Sequence, residues 1–179
     1  MGLLRKMVRD ALSLTRSQSN GQVSVGALFR SVANDGFAVL AMSRIRQCAR
    51  QWRVPLVNRA LRLSQMALYG IEIAKDVELG EGVNFMHTMG VVIGGDARIG
   101  ARTLFLGGIT VGNLNNRGYP TVGEDVIIGA GARILGPVVV GAGAMIGANA
   151  VVVTDVPAGA TAIGVPAVVR VRGASPHQT

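Results

Sequence analysis

The chain has 179 residues, 25 of them glycine; 49% are apolar and only 4% aromatic, which disfavours a globular core built on large rings and favours stacked small aliphatic side chains. Its net charge of +8 is carried entirely by the first part: residues 1–70 hold 11 Lys and Arg against 2 Asp and Glu, residues 71–179 hold 7 against 8. One cysteine, Cys48, excludes an intramolecular disulfide and fits a reducing, cytoplasmic setting. No run of about 18 apolar residues is present to span a membrane. The opening MGLLRKMVRDALSLTR breaks its apolar runs with charge, unlike a cleavable signal.

Residues 1–70 read as a basic helical segment. The first 26 suggest a short helix followed by a polar loop, TRSQSNGQ. From about Ala27 to Tyr69, apolar side chains recur at three- and four-residue steps with arginines between them, which predicts two helices. Phe37, Leu40, Ala41, Ile45 and Cys48 would line the buried face of one, and Leu56, Ala60, Leu63 and Ala67 that of the other. Pro55 suits the first turn of the second helix, and Gly70 its left-handed end.

After Gly70 the period becomes six. One register gives Ile93, Ile99, Phe105 and Val111; a second gives Val122, Ile128, Ile134, Val140, Ile146 and Val152. Glycine follows seven of these ten, and the residue four later is Ala, Thr, Val or Ile in nine, Asn115 being the exception. Such a period marks a parallel β-helix, in which no coil buries its own face and the stack is the core. The segment 113–120, NLNNRGYP, interrupts the pattern, since Val111 to Val122 is eleven residues rather than twelve. The pattern also breaks once before Ile93: six residues on from Phe85 is Val91, so two residues are inserted just after His87, the only histidine in the repeat region. A tail, residues 172–179, follows the repeats.

The repeat, together with PAGATAIGVPAVVRV, resembles the hexapeptide-repeat acyltransferases. Within that group HTMGVVIG, LGGITVGN and VGEDVIIGAGARILG resemble the serine acetyltransferase branch, over roughly Ile71 to Val171. The resemblance implies a left-handed β-helix with triangular coils of three hexapeptides, against the usual right-handed crossover rule. It implies acetyl-CoA as co-substrate and a homotrimer with the cofactor lying in the groove between chains. At the corner after Phe85 the family carries its catalytic histidine, which makes His87 the general base that takes the acceptor's hydroxyl proton. The family's orienting carboxylate, one coil-length earlier, falls on Glu72. Residues matching cofactor contacts are Gly112, Asn113, Ala130 and Ala148; a backbone N–H at Gly112 or Asn113 would serve as oxyanion donor, and Arg170 and Arg172 are candidates for the CoA phosphates. Loop 113–120, polar and interrupting the repeat, is expected to reach over the cleft. No metal is expected: a zinc site of this fold needs three histidines and the repeats supply one.

Departures from the serine acetyltransferase pattern bear on the acceptor. Met86 stands where that branch has Asp, and Arg117, Gly118 and Tyr119 stand where it has an Arg-His pair before the loop proline. The family uses those groups on the ammonium and carboxylate of an amino acid, so their loss favours a neutral polyol, with Met86, Arg117 and Tyr119 as substrate-contacting residues. The combination is similar to sugar O-acetyltransferases of exopolysaccharide and capsule synthesis, including the colanic acid type. The expectation is therefore acetyl transfer to a hydroxyl of a polysaccharide or its lipid-linked precursor. Serine O-acetylation and a non-catalytic trimeric scaffold are the alternatives. The basic helices read either as a solvated face or as a surface for peripheral contact with an anionic membrane at its cytoplasmic side; no nucleic-acid-reading motif accompanies them.

Overall fold

The computed structural model describes residues 2–18, 24–51 and 54–171. Among the described residues four helices precede fifteen short strands, β1 to β15: α1 (Leu3–Gln18), α2 (Val25–Val32), α3 (Asp35–Gln51) and α4 (Pro55–Tyr69). The strands fall into three sheets, each taking every third strand. The first stacks β1 (Ile71–Ile73), β4 (Val91–Ile93), β7 (Thr110–Gly112), β10 (Arg133–Leu135) and β13 (Val151–Val152). The second stacks β2 (Glu78–Leu79), β5 (Arg98–Ile99), β8 (Thr121–Val122) and β11 (Val139–Val140). The third stacks β3 (Asn84–Phe85), β6 (Leu104–Phe105), β9 (Ile127–Ile128), β12 (Met145–Ile146) and β14 (Thr161–Ile163), with β15 (Val168–Arg170) added antiparallel. All other pairings are parallel, so the chain winds as a three-sided β-helix.

All ten repeat positions from Ile93 to Val152 are at most 3% exposed. The small residues four places later, such as Ala97, Thr103, Ala132 and Ala150, are fully buried as well. Two inward side chains per six residues fill the prism; the rings of Phe85 and Phe105 stack inside it with centroids 5.1 Å apart. The glycine after each aliphatic position answers to the close approach of coils. A Cβ on Gly100 would fall within the backbone of Gly123 and Glu124, and one on Gly129 would lie 2.5 Å from the Ala148 amide nitrogen.

Register shows where the coils depart from regularity. Val92 pairs with Thr110, a coil of 18 residues, but Ile73 pairs with Ile93, a coil of 20, which holds the two-residue insertion beside His87. Thr110 pairs with Arg133, a coil of 23. Segment 113–120 is thus a five-residue insertion in one side of the prism, not one residue lost from two repeats. Val111 and Val122 lie on consecutive sides, which the spacing alone did not reveal.

The helical part differs more from expectation. α1 is 16 residues long, and the single helix predicted to begin near Ala27 is two, α2 and α3, bent by 67° at the break. Ser24 caps α2 by accepting from the Ala27 N–H. Asn34 opens α3, its side-chain oxygen accepting from Gly36 N–H at 2.8 Å and its carbonyl from Phe37 N–H. Pro55 stands at the first turn of α4 and Gly70 closes it at φ 60, its N–H donating to Met66 O. The buried faces are not those predicted. On α3 Leu40 is buried, but with Val39, Ser43, Arg44, Arg46 and Ala49 rather than with Phe37, Ala41, Ile45 and Cys48. On α4 the stripe Leu56, Ala60, Leu63 and Ala67 faces outward, and Gln65 is the buried residue. The reason is that α3 lies over the polar open end of the first coil. Arg44 donates to the carbonyls of Leu79 (2.6 Å) and Gly80 (2.7 Å) and pairs with buried Asp10 of α1 at 2.9 Å, while Asp10 accepts from Gly82 N–H. Gln65 in turn bonds Val39 O, Ser43 Oγ and Arg46.

Candidate active site

His87 occupies the corner between β3 and β4, where the third face turns into the first. The same edge continues upward through residues 106–109, 129–132 and 147–150. Backbone bonds rung it: Gly108 N–H to Met89 O, Gly131 N–H to Gly107 O, and Asn149 N–H to Ala130 O, each 2.9–3.0 Å. The two inserted residues widen the lowest rung, and the imidazole stands exposed with no hydrogen-bond partner among the described residues. Met86 and Met89 beside it are also exposed, and Thr88 is buried. Gly107 packs directly above: a Cβ there would be 3.0 Å from the His87 Cβ, at a backbone φ of 126. An unengaged imidazole with a bare glycine and alanine edge above it is chemically a base with room for a reactant.

Ala130 and Ala148 lie on this edge, exposed, in line with His87. Gly112, Asn113, Arg117 and Tyr119 lie at the next edge, where the first face turns into the second. One face separates the two groups, about 15 Å for four or five extended residues. Tyr119 is engaged in packing: its ring lies on Gly94 and Gly95, and its hydroxyl is 3.4 Å from Asn113 Nδ2. Arg117 is exposed on the loop. Glu72, on β1 opposite Val92, is half-buried and forms an ion pair with Arg62 of α4 rather than a bond with His87. Arg170 stands opposite Thr161 at the start of the third face, away from the His87 edge. Arg172 lies outside the described residues. Cys48 is partly buried on α3 and lines a cavity under the first coil, remote from His87.

Two contributors escaped the sequence reading. Arg133, at an outward position of β10, donates to the carbonyls of Gly108 (2.6 Å) and Gly131 (2.9 Å) and so stiffens the edge above His87. Gly107 and Gly108 are the other; the doubled glycine in LGGI was the available signal. Two cavities, about 570 and 830 Å³, are lined by α1, α3 and the lower coils and do not include His87.

Residues 119–154 match the family model described as "Bacterial transferase hexapeptide (six repeats)". The serine acetyltransferase of Synechococcus elongatus is 37% identical over 106 residues, covering 58% of this chain and 43% of the relative. That of Helicobacter pylori is 38% identical, covering 58% and 62%; the chain thus spans less than two thirds of the curated relatives it matches. Among solved structures, soybean serine acetyltransferase complexed with serine superposes with a TM-score of 0.81 at 34% identity, covering 94% of this chain and 69% of that one. A serine acetyltransferase in complex with CoA gives 0.83 at 30%, covering 94% and 69%. The three-sided winding is accordingly the left-handed β-helix of hexapeptide repeats. This chain belongs to the hexapeptide-repeat acyltransferase family.

Proposed function

We propose that the protein is an acetyl-CoA-dependent O-acetyltransferase with His87 as general base. The observation that carries this is the unpartnered, exposed imidazole at a widened corner, below an edge of glycine and alanine that leaves the backbone open to an extended thioester. The neutral imidazole takes the acceptor's hydroxyl proton while that oxygen attacks the thioester carbonyl. The tetrahedral oxyanion then collapses, the C–S bond breaks, and the departing thiolate takes the proton back from the imidazolium.

One chain forms only part of such a site. Asn113, Arg117 and Tyr119 sit a full face away from His87, so a homotrimer that sets the loop edge of one chain against the His87 edge of the next would bring them together.

For the acceptor, the relatives favour L-serine, and this takes precedence over the sugar hydroxyl expected from the sequence. One observation favours the second reading, a glycan hydroxyl. Met86 and Met89 flank His87, and Glu72 is held by Arg62, so among the described residues of the chain that carries His87 no free carboxylate stands beside the base to receive an ammonium group. The test is CoA release from acetyl-CoA with L-serine and, separately, with sugars, nucleotide sugars and lipid-linked glycans. Turnover with serine supports the first reading, turnover with a glycan alone supports the second, and inactivity with every acceptor overturns both.

A further inference from the structure

We propose that the α1–α2 pair is a docking surface for an anionic lipid bilayer. Val25, Phe29 and Val32 recur at helical spacing on α2 and form one stripe, with Val25 87% and Phe29 75% exposed, while Ala27 and Ser31 on the opposite side are buried. On α1, Leu4 is 75% exposed, and Leu4, Arg5, Val8 and Arg9 line an open depression of about 360 Å³. These apolar tips are unpartnered in a chain whose other exposed apolar stripe, on α4, lies on a different helix.

Charge selects the occupant. Arg5, Lys6, Arg9, Arg16 and Arg30 all point to solvent from α1 and α2. The one acid on either helix, Asp10, is buried against Arg44. Carboxylates lie on the β-helix side of α1: Glu81, 3.7 Å from Arg9, and Asp125 line the cavity beside Arg9 and Arg16, while Asp76, Glu78 and Asp96 line the one beside Lys6; Arg5 and Arg30 line neither cavity. A second copy of the chain apposed through these helices would bring like charges together, Arg5 and Arg30 among them. An anionic bilayer answers both features, because basic side chains stay at the headgroups while Phe29, Val25 and Leu4 enter the acyl boundary. The surface is a ridge rather than a groove, which suits a deformable phase.

The test is sedimentation of the full chain with phosphatidylcholine vesicles, with and without phosphatidylserine. Binding is expected only with phosphatidylserine and is expected to fall with added salt. Each basic side chain near the surface is worth about five-fold in partitioning at low salt, so Arg5→Gln with Lys6→Gln and Arg30→Gln is expected to weaken binding on the order of a hundred-fold. Phe29→Ser, which removes an exposed ring without disturbing the fold, is expected to weaken binding without changing its salt dependence. Equal binding to neutral vesicles, no binding to either, or full binding by the triple variant would overturn the proposal. So would self-association in analytical ultracentrifugation that Phe29→Ser abolishes in the absence of vesicle binding.

Discussion

Gly107→Ala perturbs the site through one atom. The added Cβ would start 3.0 Å from the His87 Cβ and 3.4 Å from the His87 carbonyl oxygen. Carbon atoms pack at about 3.5–4.0 Å, so the His87 corner must retreat by roughly 0.5–1 Å. A misplacement near 1 Å of a catalytic group costs on the order of a hundred-fold in rate. The backbone adds its own cost, since φ 126 is a region L side chains rarely enter, at about 1–3 kcal/mol. Gly143→Ala separates the two effects: Gly143 also has positive φ, at 67, but a Cβ there meets nothing within 4 Å. Both variants should lose stability in urea unfolding, while only Gly107→Ala should lose kcat for CoA release, by ten- to a hundred-fold, with little change in the KM for acetyl-CoA. A folded Gly107→Ala with unchanged kcat, or an equal loss in Gly143→Ala, would refute the placement of the reacting groups at this corner.

Asp10→Ala strands the buried Arg44 guanidinium and should cost about 3–5 kcal/mol in chemical unfolding; adding Arg44→Met should recover part of the loss. Ala130→Leu, at an exposed edge position, should leave stability unchanged and raise the KM for acetyl-CoA by about ten-fold, a change of about 1.4 kcal/mol. Glu72→Gln removes a half-exposed ion pair, so unfolding should shift by no more than about 1 kcal/mol. If Glu72 turns from Arg62 to orient His87 during turnover, kcat should fall while KM holds, and Arg62→Gln should not reproduce that fall.

The β-helix was legible in the sequence because stacking forces equal spacing: Ile93 to Val111 and Val122 to Val152 repeat every six residues, one per side, so that each sits above its counterpart three repeats, or one coil, below. The widened corner at His87 was legible for the same reason, as a break in that spacing. Loop 113–120 was harder, because eleven residues count equally as one short of two sides or five beyond one, and only strand pairing decides. The helices were misread because apolar periodicity assumes an apolar partner. α3 instead meets the carbonyls of Leu79 and Gly80, which demand Arg44, and α4 turns Leu56 and Leu63 outward. The Arg62–Glu72 pair joins a helix to a strand and leaves no local pattern. Tyr119 was expected to contact the substrate, but its ring is laid over Gly94 and Gly95. The acceptor was read from the replacement of single charged residues, Met86 above all, whereas the similarity of the whole β-helix points to serine acetyltransferases.

The most direct measurement is the initial rate of CoA release from acetyl-CoA, with the acceptor the wild type uses, by wild type and His87→Ala at matched folding. Loss of a general base should lower kcat by about a hundred- to ten-thousand-fold while acetyl-CoA still binds. Retention of wild-type kcat by His87→Ala would contradict His87 as the base and the edge above it as the site of transfer.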